Sequence, residues 1–181
     1  MQEEEKDLEK YDRQIRLFGL ETQLKLIDTP IVLVQTHITN KPSFVSGEIL
    51  KNILLLGVNK IFCDNETLTS FYNLCPNRIE NLNNSVELTV IEKSKLTTKE
   101  FSDKIIILVD TLINLIGNDK FFICSGCFSY HNTLIAHSVC ERVEDPLLPI
   151  KECMIGAFFV NDLIKFIKDK KEINGFTFPE I

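Results

Sequence analysis

The feature that most constrains this chain is a short unbroken apolar run, a helix-spaced segment and a second apolar run, in that order. Ile31-Val32-Leu33-Val34 follows Pro30, the segment 47–56 repeats its apolar residues at helical spacing and stops at Gly57, and Lys60-Ile61-Phe62-Cys63 ends on Asp64. A strand without polar alternation is one buried on both faces, the situation of a parallel sheet covered by helices. Strand, helix and strand within about 35 residues form a βαβ unit, whose crossover is right-handed in nearly all cases. Further strands are expected at 87–91, 105–109, 121–128 and 133–136, and a last amphipathic helix over 155–168. The alternation predicts an α/β fold with a doubly wound sheet, in a single domain spanning 1–181.

Composition sets limits on partners. The 181 residues are 44% apolar and 25% charged, ordinary values for a globular domain with one core. The net charge of −6 comes without a basic stripe, so no nucleic-acid partner is expected. No apolar run approaches the roughly 20 residues of a spanning helix, so no membrane association is expected either. The acidic start Gln2-Glu3-Glu4-Glu5-Lys6-Asp7 has no basic-then-apolar pattern of a secretory signal, and residues 1–10 read as a frayed, disordered terminus. The expectation is a soluble, intracellular protein.

Six cysteines, Cys63, Cys75, Cys124, Cys127, Cys140 and Cys153, lie mostly within apolar runs. In an intracellular chain they read as reduced, packed side chains. Cys124-Ser125-Gly126-Cys127 has the spacing of half a zinc knuckle. It sits inside the apolar run 121–128, expected as one core strand, and no second Cys-x-x-Cys accompanies it. Packing is therefore expected, with no metal site.

Ahead of the first strand stands Tyr11-Asp12-Arg13-Gln14-Ile15-Arg16-Leu17-Phe18-Gly19. Ile15, Leu17, Phe18 and Leu20 gather toward one side of a helix, opposite Asp12, Arg13, Arg16 and Glu21. Taken alone, this is a surface helix with solvated arginines. As a whole the run resembles the opening helix of the ThiF/MoeB adenylating and ubiquitin-like-activating superfamily. That resemblance implies a mostly parallel, Rossmann-like sheet, the ThiF/MoeB adenylation fold in truncated form. It also implies that Arg13 reaches across a dimer interface to ATP bound by the partner.

The same resemblance predicts a glycine-rich turn after the first strand, where backbone N–H groups and a helix N-terminus approach phosphates. Instead, between Val34 and Gly47 only Gly47 is a glycine, Pro42 supplies no N–H and Phe44 adds bulk. Lys41 and Ser46 are the phosphate ligands on offer, and His37 has neither nucleophile nor orienting carboxylate near it in sequence. Asp64 resembles the acidic residue that holds a ribose hydroxyl, and Asp110 stands where active members carry a magnesium-linked aspartate. The plain alternative is two strand-end carboxylates satisfied by local N–H groups. Asn73 and Arg78 do not match the spacing of the family's ATP contacts. The fold is expected with a degenerate nucleotide loop and, at most, a vestigial Asp64.

Tyr130-His131 resembles a pair in the smaller, non-catalytic subunit of the SUMO-activating enzyme; 153–165 looks like its closing helix and 174–178 like its aromatic last strand. Where the family inserts a helical domain, only the residues between Val139 and Lys151 are present. Cys140 is the nearest candidate for a thioester cysteine, and nothing beside it in sequence lowers its pKa. The resemblance implies a non-catalytic subunit of a heterodimeric SUMO-activating enzyme. The partner subunit would bind ATP and magnesium, adenylate the ubiquitin-like modifier and carry the thioester, and this chain would bind no cofactor. It further implies a location in nucleus and cytoplasm. The alternatives are the corresponding subunit of the cullin-modifier pathway, a self-sufficient nucleotide-binding enzyme (adenylating homodimer or Rossmann oxidoreductase), and a scaffold without an ATP role.

Overall fold

A computed structural model describes residues 8–36, 43–111, 113, 115, 119–132, 140, 145–173 and 175–177. Among these the elements run α1 (Asp12–Phe18), α2 (Leu20–Asp28), β1 (Ile31–Gln35), α3 (Val45–Leu55), β2 (Lys60–Cys63), α4 (Asn65–Leu74), α5 (Ile79–Leu82), β3 (Glu87–Val90), β4 (Ile105–Val109), β5 (Lys120–Cys124), β6 (Ser129–His131), α6 (Leu148–Asp169) and β7 (Phe176–Thr177). The strands form one sheet in the order β3-β2-β1-β4-β5-β6-β7. β3 through β5 are parallel, and β6 and β7 add antiparallel. The expected mostly parallel, Rossmann-like α/β sheet is present.

The apolar runs settle into this sheet by period two. Ile31, Leu33, Ile105 and Ile107 face a core shared with Ile49, Ile53, Phe71, Phe159 and Leu163 from α3, α4 and α6. Val32, Val34, Ile106 and Leu108 face the other side, where Leu96 and Phe101 pack from two 3₁₀ turns, Lys93–Thr97 and Lys99–Phe101. One face of the sheet is thus covered by long helices and the other, among the described residues, chiefly by short turns. At about 1.5–3 kcal/mol per fully buried aliphatic side chain, the helical face holds most of the stabilisation.

Several boundaries differ from expectation. The opening stretch is two helices, because Gly19 at φ 93° breaks it between α1 and α2. The run 121–128 is one strand and a turn: β5 stops at Cys124, and residues 125–128 reverse the chain into β6. The closing helix starts at Leu148, with Pro149 in its first turn, seven residues before the expected start. Helix α4 was not expected, although Asp64 caps it by accepting the Thr67 N–H at 3.0 Å. The strand expected at 133–136 and residues 1–7 lie outside the described residues.

Candidate functional site

In an open parallel sheet the ligand crevice lies beyond the strands' carboxyl ends, where the strand order reverses. Here that point falls between β1 and β4, neighbours at the centre of the sheet, where Thr36 N–H donates to Val109 O at 3.0 Å. Gln35, Asp64 and Asp110 end the converging strands and the N-terminus of α3 faces the same edge. His37 and Lys41 lie outside the described residues.

The N-terminus of α3 is where a phosphate would accept N–H groups and meet the positive end of the helix dipole. A side chain of the protein already does so. Glu152, fully buried on α6, accepts the Phe44 N–H on Oε2 at 2.9 Å. Gly156, one turn on, lets α6 approach this closely, since a Cβ there would meet Val45 O and Glu48 Cβ at 3.1 Å. Two like charges 4 Å apart repel by about 4 kcal/mol at an effective dielectric of 20, roughly a thousand-fold in affinity. A polyphosphate and the Glu152 carboxylate cannot share this seat.

Several other described polar groups of the edge are engaged with one another. Ser46 Oγ donates to Gln35 Oε1, Ser70 Oγ donates to Ser43 O at 2.5 Å, and Gly47 N–H donates to Ser70 Oγ at 2.9 Å. The sole glycine of the loop serves packing: a Cβ on Gly47 would lie 2.6 Å from the Ser70 carbonyl carbon and oxygen. Ser46, offered as a phosphate ligand by the sequence, is buried in this network. Thr36 Oγ1 is a buried atom that finds no partner among the described residues.

Asp64 is buried and surrounded by donors: Gln35 N–H at 3.2 Å, Thr67 N–H at 3.0 Å and the Lys93 ammonium at 3.3 Å. Burial pushes its carboxyl above the ordinary value of 3.8, against the pull of Thr67, Lys93 and Gln35. Its lone pairs are directed at the protein rather than at a ribose. Asp110 likewise accepts both the Ser125 N–H and the Ser125 hydroxyl at 2.7 Å, from a backbone at φ 53°. Both are strand-end carboxylates that accept hydrogen bonds from the protein's own groups. The group the fold implies, a magnesium nucleotide, does not fit the described residues of this edge, where Glu152 already holds the Phe44 N–H.

The opening motif does a different job. Tyr11 packs over Gly57, Gln14 Nε2 donates to Leu55 O at 2.9 Å, and Gln23 Nε2 donates to Leu56 O at 2.8 Å. These three side chains clasp the C-terminus of α3 and satisfy carbonyls left open at a helix end. Arg16 pairs with Asp12 at 3.0 Å. Arg13 is exposed, and no described side chain pairs with its guanidinium. Tyr130 lies between β6 and α6, donating to Asp162 Oδ2 at 2.6 Å and stacking on Phe176, so it belongs to the core. Sequence reasoning missed Glu152, which lies three residues before the start expected for the closing helix and inside it only because that helix begins at Leu148.

No protein-family model matches the chain, and neither does any curated protein sequence. Solved structures do. Against E. coli MccB crystallised with AMPCPP and MccA, the chain shows 13% identity and a TM-score of 0.61 over 90% of its own length. Against E. coli MccB with ATP the TM-score is 0.59 at 13% identity. PaaA gives 0.60 at 13% identity, covering 95% of this chain and 70% of that one. The chain spans 64% of the length of MccB. With that sheet order and these likenesses, the chain has a ThiF/MoeB-like fold, at low sequence identity to its neighbours.

Proposed function

We propose that this chain is the non-catalytic half of a heterodimeric activating enzyme for a ubiquitin-like modifier, SUMO foremost. In this reading the partner subunit binds ATP and magnesium, adenylates the modifier's C-terminal carboxylate and carries the thioester cysteine. This chain supports the partner across an interface and extends Arg13 toward the partner's ATP. It acts where the partner acts, in nucleus and cytoplasm. The observation that carries the reading is the Glu152 carboxylate on the α3 N-terminus, which places an anion of the chain itself where a nucleotide phosphate would bind.

Two further observations favour a partner. Arg13 is a planar, exposed cation without a described partner, suited to bidentate contact with phosphate oxygens. Ile150, Met154 and Phe158 recur every four residues along α6 as an exposed apolar stripe, and Leu17, Leu20 and Leu24 are exposed on α1 and α2. Apolar stripes of this kind mark interaction surfaces. MccB, whose fold this chain resembles, is crystallised with ATP, and the alternative of a self-sufficient nucleotide-binding enzyme rests on that likeness alone.

The test is reconstitution with the larger subunit and measurement of ATP–pyrophosphate exchange. Arg13→Ala is expected to lower exchange roughly 10- to 100-fold, the worth of one charge-assisted contact of about 1.5–3 kcal/mol. Arg13→Lys restores it only in part, because the bidentate fork is lost. Unchanged exchange in Arg13→Ala sinks the role of the arginine. Saturable binding of magnesium-ATP to the isolated chain by calorimetry sinks the larger reading in favour of a self-sufficient enzyme.

A further inference from the structure

The turn between β5 and β6 carries a cluster that the nucleotide edge does not use. Cys124 is the last residue of β5, and Ser125 and Gly126 turn the chain so that Cys127 comes back beside it. Cys140, thirteen residues further on, joins them, and the three Sγ atoms all lie within 4.8 Å of one another. We propose that Cys124, Cys127 and Cys140 bind one thiophilic metal ion, zinc(II), as a tri-thiolate site with its fourth position open to water.

The geometry is that of a built site. Zinc–sulfur bonds of 2.3 Å in a tetrahedron place sulfurs roughly 3.8 Å apart, so closing on the ion requires movements of about 1 Å or less. Ser129 Oγ lies 2.9 Å from Cys127 Sγ. Gly126 admits Cys140 to the cluster, because a Cβ there would meet Cys140 O at 2.5 Å and its Cβ at 2.7 Å. Asp110 fixes the turn from the neighbouring strand through its two hydrogen bonds to Ser125, the kind of outer contact that orients metal ligands. All three cysteines are half-buried.

Binding a divalent ion converts the thiols to thiolates, releases their protons to solvent and changes no oxidation state. Three soft ligands select zinc over magnesium or calcium. The site would tether residue 140 to the β5–β6 turn, and it is independent of the role proposed for Arg13.

The experiment uses the full chain, reduced, freed of metal with a chelator, and titrated with cobalt(II). The expected result is a sulfur-to-cobalt charge-transfer band saturating at one equivalent and bleached by one equivalent of zinc. Cys140→Ser and Cys127→Ser should each weaken cobalt binding at least about ten-fold, whereas Cys153→Ser leaves it unchanged. An unfolded variant would also lose the band, so a second measurement uses the unaltered chain. Zinc should slow alkylation of Cys124, Cys127 and Cys140 at least about ten-fold, read peptide by peptide, without slowing Cys153. No band at stoichiometric cobalt, equal alkylation with and without zinc, wild-type affinity in Cys140→Ser, or a disulfide between two of these cysteines in the protein as isolated would each overturn the site.

Discussion

The two ends of helix α3 show the same structural problem solved from opposite directions. At its C-terminus, Gln14 and Gln23 donate to Leu55 and Leu56 carbonyls and Tyr11 covers Gly57, so the motif that resembles the adenylating enzymes is a clasp. At its N-terminus, where the sequence departs from those enzymes, Glu152 accepts the Phe44 N–H and occupies the position of an anionic ligand. Unpaired backbone groups at a helix end demand partners whether or not a ligand comes. The contrast teaches that sequence resemblance tracks the packing half of a motif as readily as its chemical half.

The largest effect should come from closing the gap at the N-terminal end. Gly47→Ala drives a Cβ to 2.6 Å from Ser70 backbone atoms, which cannot rotate away, so α3 and α4 must separate. Overpacking of this kind costs about 3 kcal/mol, read as a lowered urea midpoint with unchanged slope. At the other end, Gly57→Ala pushes against the Tyr11 ring and strains a φ of +85°, and pairing it with Tyr11→Ala should recover part of the loss. If Gly47→Ala is tolerated, the account of this glycine as a packing residue fails.

Next is the anion seat itself. Glu152→Gln keeps a hydrogen-bond acceptor but removes the charge from the helix terminus, at a cost of about 1–2 kcal/mol. It also frees the seat for an outside anion. Sulfate should raise the melting temperature of Glu152→Gln more than that of the unaltered chain, with a chloride control at equal ionic strength. Equal sulfate responses would mean that Glu152 does not block the site.

How far these features were legible differs along the chain for physical reasons. The strand Ile105–Val109 was readable to the residue, because five apolar residues in a row admit little else than a doubly covered strand. The run 121–128 read as one strand because its turn, Ser125-Gly126, is flanked by cysteines and phenylalanines, and Phe128 turns at φ 49° where a glycine is usual. Helix α4 carries its signal in Asp64, Thr67 and the buried Phe71, but in the sequence Asp64, Asn73 and Arg78 are compared with nucleotide contacts and the helical spacing of this stretch goes unused. Glu152 and Cys140 act only through partners distant in sequence, and a single chain carries no trace of such pairings.

Asp64 offers a smaller effect with a definite sign. Its folded pKa lies above the ordinary 3.8, so the contribution of this group is complete below that value and is lost as pH rises through the folded pKa. Asp64→Asn still caps α4 through its amide oxygen, but leaves one of the three present donors without an acceptor, about 1 kcal/mol at neutral pH. Measured against the unaltered chain, that penalty should be larger near pH 4 and shrink toward neutrality. A penalty that grows with pH would show that Lys93 and the N–H donors outweigh burial.

The smallest effects separate neighbours on α1. Gln14→Ala removes the donor to Leu55 O at one end of the clasp and should cost about 1 kcal/mol in the isolated chain. Arg13→Ala removes an exposed guanidinium that no described side chain pairs with, and should change stability by less than about 0.5 kcal/mol. Arg and Gln have similar helix propensity, so the contrast reports the burial and contacts that Gln14 has and the exposed Arg13 lacks. A stability loss in Arg13→Ala equal to that of Gln14→Ala would make the arginine part of the clasp, and any loss of activity in a complex would then be a folding effect. A silent Arg13→Ala in the isolated chain lets any deficit in the proposed heterodimer be assigned to contacts that Arg13 makes outside this chain.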